Sequence, residues 1–130
     1  MIVIDASALV ELLRSTAKGV RIDGRISRDR GPYLAPHLVD LEVLQAFREL
    51  VRVGDVDLNR AVTALAAFAH FPIERLPHDV LRDRVWELRD NLTAYDAAYV
   101  ALAEALNCPV LTCDGPMSRA PGNRATIELF

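Results

Sequence analysis

Cysteine is scarce in this sequence, which holds only Cys108 and Cys113 among its 130 residues. Two cysteines without a CxxC spacing provide neither a disulfide framework nor a thiolate zinc site. We therefore expect both thiols to be inert in a reducing compartment.

Long apolar runs and a basic N-terminal segment are also missing. The longest mostly apolar stretch, residues 61–69, is too short to cross a bilayer. An acid at position 5 and the absence of an early basic residue predict that there is no signal peptide. The expected location is the cytoplasm, with no membrane contact.

Lysine is nearly absent, since Lys18 is the only one among 15 basic residues, and the net charge is −3. This charge excludes a molecule that is basic all over, but a local patch can still bind nucleic acid. Several familiar catalytic motifs are missing as well. There is no phosphate-binding loop, no G-x-G-x-x-G and no G-x-S-x-G elbow. The three histidines are scattered without the spacing of metal ligands.

Short apolar runs alternate with helical periodicity along the whole chain. The pattern predicts strands at residues 1–4, 33–35, 73–76, 110–112 and 125–129. Helices are expected after Asp5, weakly over 18–30 with interruptions at Gly19 and Gly24, over 37–53, from 57 to before Pro72, over 78–92 and over 93–106, with a turn at 114–116. Such alternation is typical of a single α/β domain, residues 1–130, with a mostly parallel sheet flanked by helices.

The apolar spacing also predicts which helix residues face the core. The expected inward residues are Leu9, Leu12 and Leu13; Leu38, Leu41, Leu44, Phe47 and Val51; Leu58, Val62, Leu65 and Phe68; Leu81, Val85, Leu88 and Leu92; and Tyr95, Tyr99, Leu102 and Leu106.

Four acidic residues, Asp5, Glu42, Asp96 and Asp114, occur where predicted strands end or predicted helices begin. In an open parallel sheet the carboxyl ends of the strands line one ligand-binding crevice. Two carboxylates ~4 Å apart repel by roughly 4 kcal/mol at an effective dielectric of 20. A hard, oxygen-preferring cation such as Mg²⁺ or Mn²⁺ would relieve this repulsion. Two hydroxyl residues, Ser7 and Thr112, are near enough to orient a carboxylate or a bound water.

Each acid also has a purely structural explanation. Asp5 is a suitable helix N-cap, Thr93 and Asp96 have the spacing of a capping box, and Asp114-Gly115 is a turn signal. Glu42 alone is typical of a solvated helix, and Asp40 is expected to face away from it. The equivalent placement of all four acids favours a shared function. A nucleophilic aspartate is disfavoured, because Ser7 occupies the position where such enzymes carry a second Asp.

Four segments in order carry a resemblance to a known family. They are MIVIDASAL at the N-terminus, VDLEV around Glu42, TAYDAAYVALA from Thr93, and VLTCD ending at Asp114. Together they resemble PIN domains, and among these the chain is most similar to VapC-type toxins of toxin–antitoxin pairs. The resemblance covers essentially the whole chain.

The resemblance implies a Mg²⁺- or Mn²⁺-dependent endoribonuclease in which Asp5, Glu42, Asp96 and Asp114 are the acidic, metal-binding quartet. Ser7 and Thr112 match the accessory hydroxyls. The expected reaction is hydrolysis of RNA by a metal-activated water. Some members have a further acid where this chain has Pro116, so a complete second metal site is not expected without substrate phosphate. The family also implies a VapB-type antitoxin and a homodimer. The sequence itself offers apolar helices within residues 9–30 and 37–69 as a docking groove for the antitoxin.

RNA must approach this acidic crevice along positive charge. The candidate contacts are Arg14, Arg21, Arg25, Arg28, Arg89 and Arg119. Two other functions remain open: a PIN-type nuclease in RNA maturation, outside toxin–antitoxin pairs, and a noncatalytic interaction domain whose acids only cap helices.

Overall fold

Five strands form a single sheet in the computed structural model, which describes residues 1–130. All neighbouring strands are parallel, in the spatial order β3-β2-β1-β4-β5. Their bounds are β1 (Ile2–Ile4), β2 (Tyr33–Pro36), β3 (Ile73–Leu76), β4 (Val110–Thr112) and β5 (Ile127–Leu129). The expected α/β class is confirmed.

Seven α-helices connect the strands and cover the sheet. They are α1 (Ala6–Arg14), α2 (Ala17–Ile26), α3 (Val39–Arg52), α4 (Leu58–Ala69), α5 (Arg82–Glu87), α6 (Ala94–Leu106) and α7 (Gly115–Arg119). Four of them begin at a side-chain N-cap: Asp5, Thr16, Asp57 and Thr93 each accept a bond from the backbone N–H three residues later. None of the helices is long and apolar enough to span a membrane.

The centre of the sheet is its most apolar part. All three residues of β1 are fully buried, as are Val110 and Leu111 of β4, because both faces of these strands are covered. The chain moves outward from β1 to β2 and β3 on one side and to β4 and β5 on the other. The strand order therefore reverses beside β1, and a parallel sheet offers its ligand crevice at the carboxyl ends of the strands at such a point.

Five of the residues predicted to face the core are exposed. Leu41 and Leu58 are 72% and 65% exposed. Leu44, Val62 and Tyr95 are exposed as well. The core receives the predicted Phe47 and Phe68, and with them Val39 and Val43 from α3 and Ala61 and Ala64 from α4, which were not predicted. Because both helices carry apolar residues on more than one face, spacing alone did not identify the face that packs.

The segments 78–92 and 114–116 also differ from the prediction. The first is a 3₁₀ turn (Asp79–Leu81) followed by the short α5, which ends at Glu87. Its Leu81, Leu88 and Leu92 are nevertheless buried, so tertiary packing keeps them inside without a continuous helix. The predicted turn at 114–116 is the start of α7, where Pro116 is compatible with a first helical turn.

Helix α2 is continuous through both of its glycines, contrary to the expected interruptions. Gly19 lies against the end of α1, and a Cβ there would be 2.1 Å from the carbonyl oxygen of Glu11. Gly24 has no neighbour within 4 Å of such a position. Gly19 therefore allows the close contact between α1 and α2.

Candidate active site

Asp5 lies at the end of the central strand and is 4% exposed. Its Oδ1 accepts hydrogen bonds from the Ala8 backbone N–H at 2.9 Å and from the Ser7 hydroxyl at 2.7 Å. Its Oδ2 accepts one from the Thr112 hydroxyl at 2.7 Å. A carboxylate offers about four acceptor positions, so Asp5 keeps one, on Oδ2. Asp5 is thus the predicted N-cap and also the centre of a wider network.

Ser7 and Thr112 link Asp5 to the loop after β4. The Ser7 oxygen accepts a bond from the Cys113 N–H, and the Thr112 oxygen accepts one from the Asp114 N–H, each at 2.8 Å. Because a backbone N–H can only donate, each hydroxyl is left with its own proton to donate to Asp5. The two hydroxyls therefore orient the carboxylate.

Glu42 projects from the first turn of α3 and is half-buried. Its Oε2 accepts a hydrogen bond from the Tyr99 hydroxyl at 2.5 Å. Burial and the adjacent Glu42 carboxylate raise the pKa of Tyr99 above its ordinary value, so the phenol stays protonated and is the donor. Asp40 faces elsewhere, as expected, and binds the Arg75 guanidinium at 2.8 Å.

Asp96 and Asp114 complete the acidic group. Asp96 lies in the first turn of α6, where its Oδ2 accepts a bond from the Thr93 hydroxyl at 2.8 Å. Asp114 precedes α7, and its side chain makes no capping hydrogen bond. The Thr93–Asp96 pair is therefore a cap, as its spacing predicted, and it leaves Asp96 Oδ1 without a protein donor.

Burial and mutual repulsion perturb these acids. Burial raises the pKa of Asp5 to about 6 against the lowering effect of its three hydrogen bonds, and the charge of Asp96 adds to the rise. Burial also raises the pKa of Glu42, with smaller contributions from Asp5 and Asp96. The pKa of Asp96 is raised by burial and by Asp114. Asp5, Glu42 and Asp96 are therefore close enough for their charges to interact, and Asp114 lies near enough to act on Asp96.

The donor set suits a hard divalent cation, since it consists of carboxylate and hydroxyl oxygens. As the side chains stand, no three His, Cys, Asp or Glu residues converge so that they could hold a metal ion. Three of the acids bind hydroxyl groups instead, and each keeps an acceptor position that is not used by the protein. The chemistry of the site fits Mg²⁺ or Mn²⁺, and binding would require the acidic side chains to converge.

A groove of about 1020 Å³ opens beside the acids between α1, α2 and α3. Glu42 and Ser7 line it, together with the basic residues Arg14 and Lys18. The rest of its lining is mainly apolar and includes Leu38, Leu41, Ala46, Leu50 and Tyr95. Glu11 and Glu49 line it as well, so the groove combines two cations among three glutamates with an apolar wall, next to the acidic group.

The six predicted arginines are not gathered in one patch. Arg14 pairs with Glu11 at 3.7 Å on the groove wall, and the guanidinium of Arg119 lies against Gly115, beside Asp114. The others are engaged elsewhere or exposed. Arg25 binds Glu128 at 2.8 Å, the guanidinium of Arg21 lies 5.5 Å from the centre of the Phe130 ring, that of Arg89 lies 5.0 Å from the centre of the Trp86 ring, and Arg28 is exposed.

Two residues of this region were not identified from the sequence. Lys18 lines the groove. Burial raises the pKa of the Cys113 thiol, and the charges of Lys18 and Arg21 oppose this rise, so both cations lie near the loop after β4. Tyr99 was assigned only to a helix face. Its position, three residues after Asp96 on the same side of α6, was the available signal.

Comparison with known proteins gives a consistent result. The family model described as PIN domain matches residues 2–123. Ribonuclease VapC12 of Mycobacterium tuberculosis is 38% identical over 130 residues, which cover 99% of this chain and 98% of the relative. The crystal structure of PAE2754 from Pyrobaculum aerophilum has a TM-score of 0.70 at 26% identity, covering 97% of this chain and 81% of that chain. VapBC2 from Rickettsia felis, bound to a DNA fragment from their promoter, has a TM-score of 0.71 at 13% identity, covering 100% and 99%.

Proposed function

The chain belongs to the PIN domain family and, within it, to the VapC proteins, and from this membership we propose that it is a metal-dependent endoribonuclease, the toxin of a VapBC-type toxin–antitoxin pair. The observation that carries the proposal is the network at Asp5. There, two hydroxyls and a helix N-terminus orient a buried carboxylate beside three further acids.

Asp5, Asp96 and Asp114 would hold the cation, with Glu42 binding directly or through water. A bound Mg²⁺ or Mn²⁺ would lower the pKa of water and would stabilise negative charge on the phosphoryl oxygens. Besides burial, the neighbouring charges of Asp96 and Asp114 raise the pKa values of Asp5 and Asp96, and a bound cation would relieve this repulsion.

The protein's own groups have distinct roles. Ser7 and Thr112 keep the Asp5 carboxylate in one orientation, since both donate to it from fixed positions on α1 and β4. Glu42 keeps Oε1 free of protein donors and uses it to orient the attacking water. Water attack at phosphorus without use of the ribose 2′ hydroxyl leaves a 5′ phosphate and a 3′ hydroxyl. Products with 2′,3′-cyclic phosphate would contradict this scheme.

The groove residues Arg14 and Lys18 bring RNA phosphates toward the acids, and Arg119 receives them on the side of Asp114. The apolar wall, which includes Leu38, Leu41 and Leu50, suits an amphipathic segment of a VapB-type antitoxin. We further propose a homodimer and action in the cytoplasm, where RNA and antitoxin are available.

The testing experiment is cleavage of total cellular RNA by antitoxin-free protein in Mg²⁺, Mn²⁺ or EDTA. The variant Asp5→Asn/Asp96→Asn should lose discrete, metal-dependent products while remaining folded. Asp57→Asn is the matched control, because Asp57 caps α4 as Asp5 caps α1, accepting a bond from the Arg60 N–H at 2.9 Å.

Equal activity of the double variant and the control would support the noncatalytic reading, in which the acids only cap helices. Cleavage confined to precursor RNA, with no antitoxin partner, would favour a PIN-type nuclease in RNA maturation.

A further inference from the structure

The Tyr99 hydroxyl joins two elements of the proposed active site. Tyr99 lies on α6 and is 1% exposed, and Glu42 lies on α3, 57 residues earlier in the chain. The hydrogen bond between them is 2.5 Å long, and it is the only hydrogen bond of the Glu42 side chain. The position of the Glu42 carboxylate therefore depends on a single donor.

Glu42 needs such a restraint more than Asp5 and Asp96 do. Asp5 is held by three donors, and Asp96 is held by the threonine that caps its own helix. Glutamate has one more rotatable bond than aspartate, and Glu42 lines a groove that also contains Arg14 and Lys18. Either cation would be an alternative partner for a carboxylate that is free to move.

We propose that Tyr99 is a positioning residue that holds one oxygen of Glu42 and keeps the other available beside Asp5 and Asp96. This inference rests on the proposed metal-dependent function. It also gives α6 two roles, since Asp96 supplies a ligand and Tyr99, one turn later, positions a ligand on another helix. Residues that orient metal-binding carboxylates typically change affinity or activity by about 10–100-fold when they are lost.

The test is Tyr99→Phe, which removes the hydroxyl and keeps the buried ring. Tyr33→Phe is the matched control, because the Tyr33 hydroxyl donates to the Ile26 carbonyl at 3.0 Å, away from the acids. Mn²⁺ binding to RNA-free protein is measured by isothermal titration calorimetry and by the loss of the electron paramagnetic resonance signal of free Mn²⁺. We expect roughly tenfold weaker Mn²⁺ binding in Tyr99→Phe and unchanged binding in Tyr33→Phe. With RNA, kcat should fall while KM stays close to that of the unaltered protein.

A double variant separates positioning from general stability. If Tyr99 acts through Glu42, adding Tyr99→Phe to Glu42→Gln should weaken Mn²⁺ binding no further than Glu42→Gln alone. A full additional loss would overturn the proposal, and so would wild-type Mn²⁺ affinity in Tyr99→Phe or no Mn²⁺ binding by the unaltered protein.

These outcomes differ from a failure of the proposed function. Weaker Mn²⁺ binding in Tyr99→Phe, in a protein that cleaves no RNA, would retain the positioning role and remove the ribonuclease. Metal-dependent RNA cleavage with Tyr99→Phe equal to Tyr33→Phe would retain the ribonuclease and remove the positioning role.

Discussion

Asp5 shows how one residue can serve both local structure and chemistry. It caps α1 through the Ala8 N–H, and the same carboxylate receives two hydroxyl bonds at the crevice. The structural and functional explanations of this residue are therefore compatible. What distinguishes Asp5 from an ordinary cap is its burial, since the cap residue Asp57 is exposed.

The raised pKa of Asp5 predicts a pH dependence of stability. Its pKa is about 6 in the folded protein and 3.8 for the free side chain, so the unfolded chain loses this proton first. The contribution of Asp5 to the free energy of unfolding therefore falls as the pH rises from about 4 to 6, in total by roughly 3 kcal/mol. Asp5→Asn should become more stable relative to the unaltered protein over this range, as measured by urea unfolding in EDTA.

Asp29→Asn is the control for this prediction. The Gly31 N–H and the N-terminal amine lower the pKa of Asp29, so its stabilising effect is present at neutral pH and lost as the pH falls. The difference in the free energy of unfolding between Asp29→Asn and the unaltered protein should therefore change with pH in the opposite direction. A pH-independent difference for Asp5→Asn would show that Asp5 does not retain its proton in the folded state.

At the scale of the elements, α2 is placed by a backbone contact. A Cβ at Gly19 would overlap the carbonyl oxygen of Glu11 on α1, whereas a Cβ at Gly24, on the same helix, would point into open space. The two glycines therefore have opposite consequences for stability, although the sequence predicted that both would interrupt the helix.

We expect Gly19→Ala to destabilise the protein by roughly 1–3 kcal/mol, because the methyl group would overlap the α1 backbone. Gly24→Ala should stabilise it by about 0.5–1 kcal/mol through improved helix propensity. Thermal and urea unfolding of both variants test this pair. Destabilisation of equal size in both would mean that α2 does not pack on α1 at Gly19.

At the scale of the whole molecule, net negative charge coexists with two cations in the groove beside the acids. The net charge is −3, yet Arg14 and Lys18 line the groove that leads to Glu42. RNA affinity should therefore depend on where positive charge is located rather than on the total charge.

The variant Arg14→Gln/Lys18→Gln should weaken RNA binding and lower the slope of log affinity against log salt by roughly 1–1.5, for two lost contacts to single-stranded RNA. Fluorescence anisotropy on the Asp5→Asn/Asp96→Asn background measures binding without cleavage. Arg30→Gln/Arg124→Gln removes the same charge near the amino ends of β2 and β5 and serves as the control. Equal losses in both variants would place the RNA elsewhere.

The order of strands and helices could be read from the sequence because it is encoded locally. Apolar runs such as residues 2–4 and 110–112 form strands, and caps such as Asp5 and Thr93 begin helices. Both depend mainly on residues that are close in the sequence. The same local signals located the four acids at strand ends and helix starts. Helix faces were less predictable. Leu41 and Leu58 are exposed because the neighbouring elements pack against a different face of each helix.

The sequence by itself determined the α/β class and the acids at the sheet's carboxyl edge, because both follow from local periodicity and the geometry of parallel strands. Only the tertiary structure decided that Ser7 and Thr112 share Asp5, that Tyr99 holds Glu42, and that Arg25 is bound to Glu128. Most of these bonds join residues that are 57 to 107 positions apart. Such partners have no local signature, since each is selected by the packing of separate elements around the central strand.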